Sequence, residues 1–345
     1  KRSSDGGNER VAIRVRKPGL LDTLQDLGRH GYQKYGVSVG GAMDPFAHRA
    51  ANLLVGNGAG EATLEMTWRG PELEFAAPAL IAVCGGDLAP AIGGAPVPLW
   101  RPVYVRAGSV LAFGAAREGF RAYLAVAGGF AAERRLGSYS TYLRAGFGGF
   151  RGRALRASDV LPLGAPSPLG KRIAARLRGR LKEGDVFASV PWRVSYEMMP
   201  AYSANPSVRV LPGAQFDWFG GEQVQALLTS EFTVLPRSDR MGFRLAGATV
   251  APRERRELLS EPVLFGTVQV PPDGRPIVLM ADRQTTGGYP KIAQVIAADL
   301  PLLAQTPIGG RVRFRMVDLH KAQETYLLTE WSFGVLECRI RHLFS

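Results

Sequence analysis

Apolar and polar residues alternate in short runs along most of the chain, and few stretches carry the three-to-four spacing of an amphipathic helix. Residues 11–15, 63–67, 79–83, 103–105, 109–113 and 121–126 read as strands, some by alternation and some by the continuous apolar character of a strand buried on both faces. The pattern pauses and then restarts at 208–211, 232–235, 263–270, 276–280 and 311–316. One helix is well signalled. Asp44 can cap the free amides of residues 45–55, Pro45 takes the first helical position and Gly56 stops the run. A second helix is expected just after Tyr289-Pro290, over 291–296, and a last one over 319–330.

The 42 glycines and 24 prolines fall between these runs, so the pattern predicts a mainly β protein with a few helices, built as two β-barrel-like modules in tandem. Residues 10–164 form the first module, 165–188 a basic linker and 189–337 the second. A length of 345 residues with 46% apolar residues is enough for two ordinary cores.

Composition narrows the function classes. No stretch reaches the roughly 18 consecutive apolar residues of a membrane span, and the polar start at residues 1–8 lacks the apolar core of a signal peptide. A cytoplasmic protein is expected. Cys84 and Cys338 lie far apart in apolar runs and read as two buried thiols, with neither a disulfide framework nor a cysteine zinc site. The net charge of +13 invites a nucleic-acid reading, but six of the cations crowd into residues 171–182, behind a Pro- and Gly-rich stretch, and most others are interleaved with carboxylates. That run reads as a solvated basic linker or short helix, with docking to an acidic partner as the alternative; no nucleic acid is expected as a partner.

Several motifs fail on inspection. Residues 164–172 imitate a phosphate loop but place five residues between the glycines and Arg172 where a hydroxyl should ligate magnesium. No Gly-x-Ser-x-Gly elbow or His-Glu-x-x-His is present, and His30, His48, His320 and His342 show no metal-ligand spacing, so no metal is expected. The Met-Lys-Met context of biotin attachment is also missing, so any carboxybiotin must come on another chain.

Other motifs persist. The first half carries Leu24-Gln25-Asp26-Leu27-Gly28-Arg29-His30-Gly31, Gly40-Gly41-Ala42-Met43-Asp44 and Asn52-Leu53-Leu54-Val55-Gly56-Asn57. Asp26 and Arg29 are close enough in a turn to pair, whether as a site or as a tie for the turn. The second half carries Arg237-Ser238-Asp239-Arg240-Met241-Gly242, Gly266-Thr267-Val268-Gln269-Val270 and Asp282-Arg283-Gln284-Thr285-Thr286-Gly287-Gly288-Tyr289-Pro290-Lys291. Plain readings exist for these too: a surface turn at Asp282-Arg283, a hairpin at Arg240-Met241-Gly242, a rigid helix entry at Tyr289-Pro290.

Taken together, over residues 11–335, these motifs resemble the KipA family of biotin-dependent carboxyltransferase type, which takes in the 5-oxoprolinase C subunit, allophanate hydrolase subunit 2 and the matching portion of urea carboxylase. The resemblance implies cyclophilin-like barrels and a subunit, inactive alone, of an ATP-hydrolysing 5-oxoprolinase. It would act with a KipI-like subunit and a LamB/YcsF-like subunit in opening 5-oxoproline to glutamate. It leaves two alternatives: the carboxyltransferase subunit of a urea-type carboxylase, and a regulatory protein that neutralises a KipI-type kinase inhibitor. No cofactor would be bound covalently, and ATP would be used by the complex.

Both reactions need donors for an anion and a positioned carboxylate. Asp26, Arg29, Asp282 and Lys291 are the candidate catalytic residues; Arg240, Gln269, Gln284, Thr285, Thr286, Gly287, Gly288 and Tyr289 are the candidate substrate- or anion-binding residues. An anion is expected at 284–291, held by the glycine amides, by Lys291 and by the positive end of the helix expected from 291.

Overall fold

The computed structural model describes residues 12–254 and 256–345, so the polar start at 1–8 and Val11, the first residue of the first expected strand, lie outside the described residues. The chain divides into two compact units. The first is Lys1–Gly28, Pro45–Met199 and Phe333–Ser345; the second is Arg29–Asp44 and Pro200–Ser332.

The first unit holds two six-stranded sheets. One runs in the order Val160–Pro162, Ala12–Lys17, Glu72–Phe75, Val110–Ala112, Ala91–Ile92 and Ala95–Pro96. The other runs Phe187–Ser189, Val103–Val105, Ala79–Asp87, Glu118–Val126, Thr63–Thr67 and Leu21–Gln25. A single core draws Ile13, Val15, Leu73, Phe75 and Leu111 from the first sheet and Leu24, Leu64, Met66, Ile81, Val83 and Leu124 from the second. Two sheets each turning one face to a shared apolar layer is the sandwich arrangement, so this half is not the closed barrel expected from sequence. Helix α1, Pro45–Leu54, packs on strands 79–87 and 118–126, where residues such as Ala82 and Cys84 leave room for it.

The basic run is not a linker. Helix α2, Pro168–Arg178, starts at Ser167, whose hydroxyl accepts from the Gly170 amide, and buries Ile173 and Leu177. Its cations have local work: Arg172 Nε and Arg176 Nη1 donate to the carbonyls of Phe344 and Leu343 at 2.7 and 2.5 Å, at the end of the last helix, where cations offset the exposed carbonyls. The division between units therefore falls after Met199, later than the expected 165–188.

The second unit is a closed seven-stranded barrel in the order Ser207–Pro212, Lys291–Val295, Thr267–Gln269, Ile277–Leu279, Gly242–Ala246, Phe232–Val234 and Arg311–Met316. All pairs are antiparallel except the closing one between 207–212 and 311–316. Alternate residues, among them Val208, Val210, Phe243, Leu245, Val268, Ile292, Val312 and Phe314, fill its interior. Helices α3, Gly221–Thr229, and α4, Leu300–Ala304, add Leu227 and Leu303 to that core.

Four expectations fail here. The helix placed at 291–296 is a strand: Lys291, Ile292, Ala293 and Val295 are buried between strands 207–212 and 267–269, and pairing on both edges overrides a proline entry that would also suit a helix. The strand expected over 263–270 shortens to 267–269. Gly266 breaks it at φ 84°, with Leu300, Gln294 and Val295 occupying the space of any side chain. The last helix, α5, runs Leu319–Leu343, because burial of Phe333 and Ile340 carries it past 330. Cys84 is buried, but Cys338, on the outer side of α5, is exposed.

Candidate functional site

The second unit gathers most of the sequence-predicted residues on one side of the barrel. Gln269 and Lys291 face each other across adjacent strands. Beside them a two-residue ladder pairs Glu261 with Gly287 and Pro262 with Thr286, and the Thr285 carbonyl accepts from the Val263 amide. Lys291 Nζ donates to Glu261 at 2.8 Å and Gln215 Nε2 to the same oxygen at 3.0 Å, and these two bonds hold the Glu261 carboxyl below its ordinary range. Gly287 is needed for space: a Cβ there would lie 3.0 Å from Gln269 Oε1, 3.2 Å from Val263 and 3.5 Å from Gln284 Nε2. Gln269 Oε1 is buried with no hydrogen-bond partner among the described residues. A Cβ at Gly288 would lie 3.3 Å from the Leu258 carbonyl oxygen, and Tyr289 is 43% exposed.

Asp282 and Arg240 are buried and bound to each other through two hydrogen bonds of 2.9 Å, and Arg240 Nη2 also reaches the Gly41 carbonyl at 2.6 Å. Bidentate pairing spends the charge of both, which makes this pair a brace between 282 and the Gly40-Gly41 turn, not a free base and a free anion donor. The neighbouring Arg283 is buried as well, so the stretch is no surface turn. The amides of Thr286 and Gly287 lie in a strand ladder and no helix begins at Pro290, so the dipole expected to aim at an anion is not there.

Asp26 lies in the first unit and Arg29 in the second. The Asp26 carboxylate accepts from Ser138 Oγ at 2.7 Å, Ser140 Oγ at 2.5 Å and the amides of Tyr139 and Gly28 at 2.6 and 2.7 Å. Burial pushes this carboxyl up, but the bonds from Ser140, Ser138, Tyr139 and Gly28 outweigh it and hold the group below its usual range. Arg29 is buried, with its amide donating to the Val39 carbonyl.

Two further titratable groups in the first unit carry no sequence motif. His48 on α1 is fully buried between Thr63 Oγ1 at 2.8 Å and the Ala59 carbonyl at 3.0 Å. The carbonyl can only accept, which assigns the proton to Nε2 and leaves Nδ1 to the threonine hydroxyl. Burial drives its pKa down to about 4. Asp22 is pushed up to about 7 by burial, against one opposing bond from the Gly19 amide, and its Oδ1 has no partner among the described residues.

Gln215, Glu261, Ser138, Ser140, Asp22 and His48 escape a reading of the sequence. Gln215 precedes a single 3₁₀ turn and Glu261 opens a two-residue strand, and the only signal of either is its contact with Lys291. Ser138 and Ser140 offer a faint one, two hydroxyls spaced to face the same way. A cavity of about 820 Å³ in the first unit, lined among others by Arg134, Arg135, Phe147, Phe150 and Arg151, contains none of the predicted residues.

The model of the carboxyltransferase domain, subdomain A and B, matches residues 35–316. The chain is 38% identical over 300 residues to the 5-oxoprolinase C subunit of Haemophilus influenzae, covering 87% of this chain and 89% of that protein. It is 37% identical to the 5-oxoprolinase C subunit of Escherichia coli, covering 90% and 93%. Among solved structures, the K. lactis urea amidolyase superposes with a TM-score of 0.84 at 27% identity, over 96% of this chain and 20% of that one.

Proposed function

Because the chain belongs to the carboxyltransferase domain family, subdomain A and B, we propose that it acts as the C subunit of a 5-oxoprolinase complex. The observation that carries this reading is the match to the Haemophilus influenzae protein, which is close to end-to-end on both sides, at 87% and 89%. The complex would open the lactam of 5-oxoproline to glutamate at the expense of ATP, with a KipI-like and a LamB/YcsF-like subunit as companions, in the cytoplasm. No helix among the described residues is long and apolar enough to cross a membrane.

The site chemistry suits the reaction. The lactam needs its carbonyl oxygen stabilised as negative charge builds there, and Lys291, held by Glu261 and Gln215, is a cation next to Gln269. The urea-type reading, carboxyl transfer from carboxybiotin supplied by another chain, is favoured by one observation, the TM-score of 0.84 to K. lactis urea amidolyase.

The test is reconstitution. The purified chain should release neither glutamate nor ADP from 5-oxoproline and ATP until both companions are added, and should do so with them. A complex inert toward 5-oxoproline that instead consumes urea with a biotinylated carrier would install the second reading. Turnover of 5-oxoproline by the chain alone would remove the need for companions.

A further inference from the structure

We propose that Arg283 and Gln269 form the substrate-recognition pair of this site, the Arg283 guanidinium receiving the carboxylate of 5-oxoproline and Gln269 Oε1 its lactam N–H. The proposal rests on the functional reading above. In 5-oxoproline the ring N–H and the carbon bearing the carboxylate are neighbours, so one edge of the molecule presents a hydrogen-bond donor beside an anion. The complementary surface is an acceptor beside a cation.

The barrel supplies both, and each is incompletely used. Arg283 is 8% exposed, and its guanidinium lies over the Phe265 ring at 5.9 Å; its hydrogen bonds are Nε to the Val263 carbonyl and Nη1 to the Ala281 carbonyl, both at 3.4 Å, and Nη2 makes none among the described residues. Bonds from a guanidinium to a good acceptor are usually near 2.7–2.9 Å, so these two hold the side chain without satisfying it. The carboxylate next in sequence, Asp282, is committed to Arg240. A buried cation in that position is disfavoured, and its pKa falls to about 10 through burial. Gln269 is 5% exposed and its Oε1 has no partner among the described residues. A buried acceptor left without a partner, as Gln269 Oε1 is, persists where a ligand completes it.

The two meet around Val263. Its carbonyl takes Arg283 Nε, while its side chain and Gln269 Oε1 lie 3.2 and 3.0 Å from the point where Gly287 would carry a Cβ. Gly287, where any Cβ would crowd both, is the neighbour that the acceptor and the residue anchoring the cation share. The adjoining ladder of 261–262 with 286–287 is only two residues long. Gln269 also stands opposite Lys291, which places the lactam end of the ligand toward the Lys291 ammonium.

The experiment uses the complex reconstituted with its companion subunits, 5-oxoproline as substrate, and 2-pyrrolidinone, the same lactam without the carboxylate, as competitive inhibitor. Arg283→Met should raise KM for 5-oxoproline roughly ten- to hundredfold, the loss expected for one hydrogen bond to a charged group, leave inhibition by 2-pyrrolidinone unchanged, and be partly rescued in Arg283→Lys. Gln269→Met should weaken 5-oxoproline and 2-pyrrolidinone together, and decides the matter if Arg283→Met does not fold. A wild-type KM in folded Arg283→Met, or in Gln269→Met, overturns the pair while the functional reading stands. A wild-type complex that does not consume 5-oxoproline overturns both.

Discussion

The two units hold the buried titratable groups of their motifs by different means. In the second, Asp282 is bound to Arg240 and Asp299 to Arg209, each through two hydrogen bonds, so each carboxylate is neutralised by a cation on another segment. In the first, Asp159 is paired with Arg153 in the same way, but Asp26 is held by two serine hydroxyls and two amides, His48 by a threonine and a carbonyl, and Asp22 by a single amide. Ion pairs fix geometry and cancel charge; neutral donors fix geometry and leave the charge, or the proton, available. A braced barrel and a titratable sandwich are therefore expected to fail differently when their polar contacts are cut.

The largest effect is expected at the brace. Asp282→Asn or Arg240→Met leaves an uncompensated buried charge or a buried hydrogen-bond deficit, which costs on the order of 3–5 kcal/mol. Urea denaturation of each single variant should show it, and the double variant Arg240→Met with Asp282→Leu should recover much of the loss. Single variants within about 1 kcal/mol of wild type would mean that the pair is not a brace, and would return Asp282 to the set of free bases.

A smaller effect is expected in the first unit. Ser140→Ala removes the 2.5 Å bond to Asp26 together with the acceptor for the Asp26 amide, so a stability loss of about 1.5–3 kcal/mol is expected at neutral pH. The Asp26 carboxyl should also move up toward its ordinary range, because burial still pushes it that way and one of the opposing bonds is gone. Carboxyl carbon NMR of labelled aspartate reads this directly. An Asp26 resonance that titrates as in wild type would place the control of its charge elsewhere.

These contrasts mark where sequence is legible. Strands 63–67, 103–105 and 311–316 lie where alternation or apolar runs put them, since their own residues decide which face is buried. Strand 291–295 does not, because its state is decided by partners at 207–212 and 267–269, far off in the chain. The same holds in the site. Lys291, Gln269, Gln284 and Gly287 come together as the motif suggests, whereas Asp282 and Arg240, equally conspicuous in sequence, consume each other. Gln215 and Glu261 are invisible because nothing local distinguishes a glutamine in a loop from one that positions a lysine.

The smallest effect expected is the wild type's own response to pH, because two large contributions oppose each other. Asp22 has a folded pKa of about 7 against an ordinary value of 3.8, so between those values the folded state holds the proton more tightly than the unfolded state, and stability falls as pH rises through the window. His48 has a folded pKa of about 4 against an ordinary 6.5, so there the unfolded state binds the proton more tightly and stability rises with pH. At roughly 1.4 kcal/mol per unit, each contributes on the order of 3–4 kcal/mol with opposite sign, and between about pH 4 and 6.5 they nearly cancel. The cancellation is tested by removing one side. Asp22→Asn, which keeps the shape and stays neutral, should show stability climbing steeply from pH 4 to 6.5, and His48→Gln should show it declining over the same range, with wild type flatter than either. If Asp22→Asn follows wild type across that window, Asp22 is not protonated in the folded state, and the contrast between a titratable sandwich and a braced barrel narrows to Asp26 and His48.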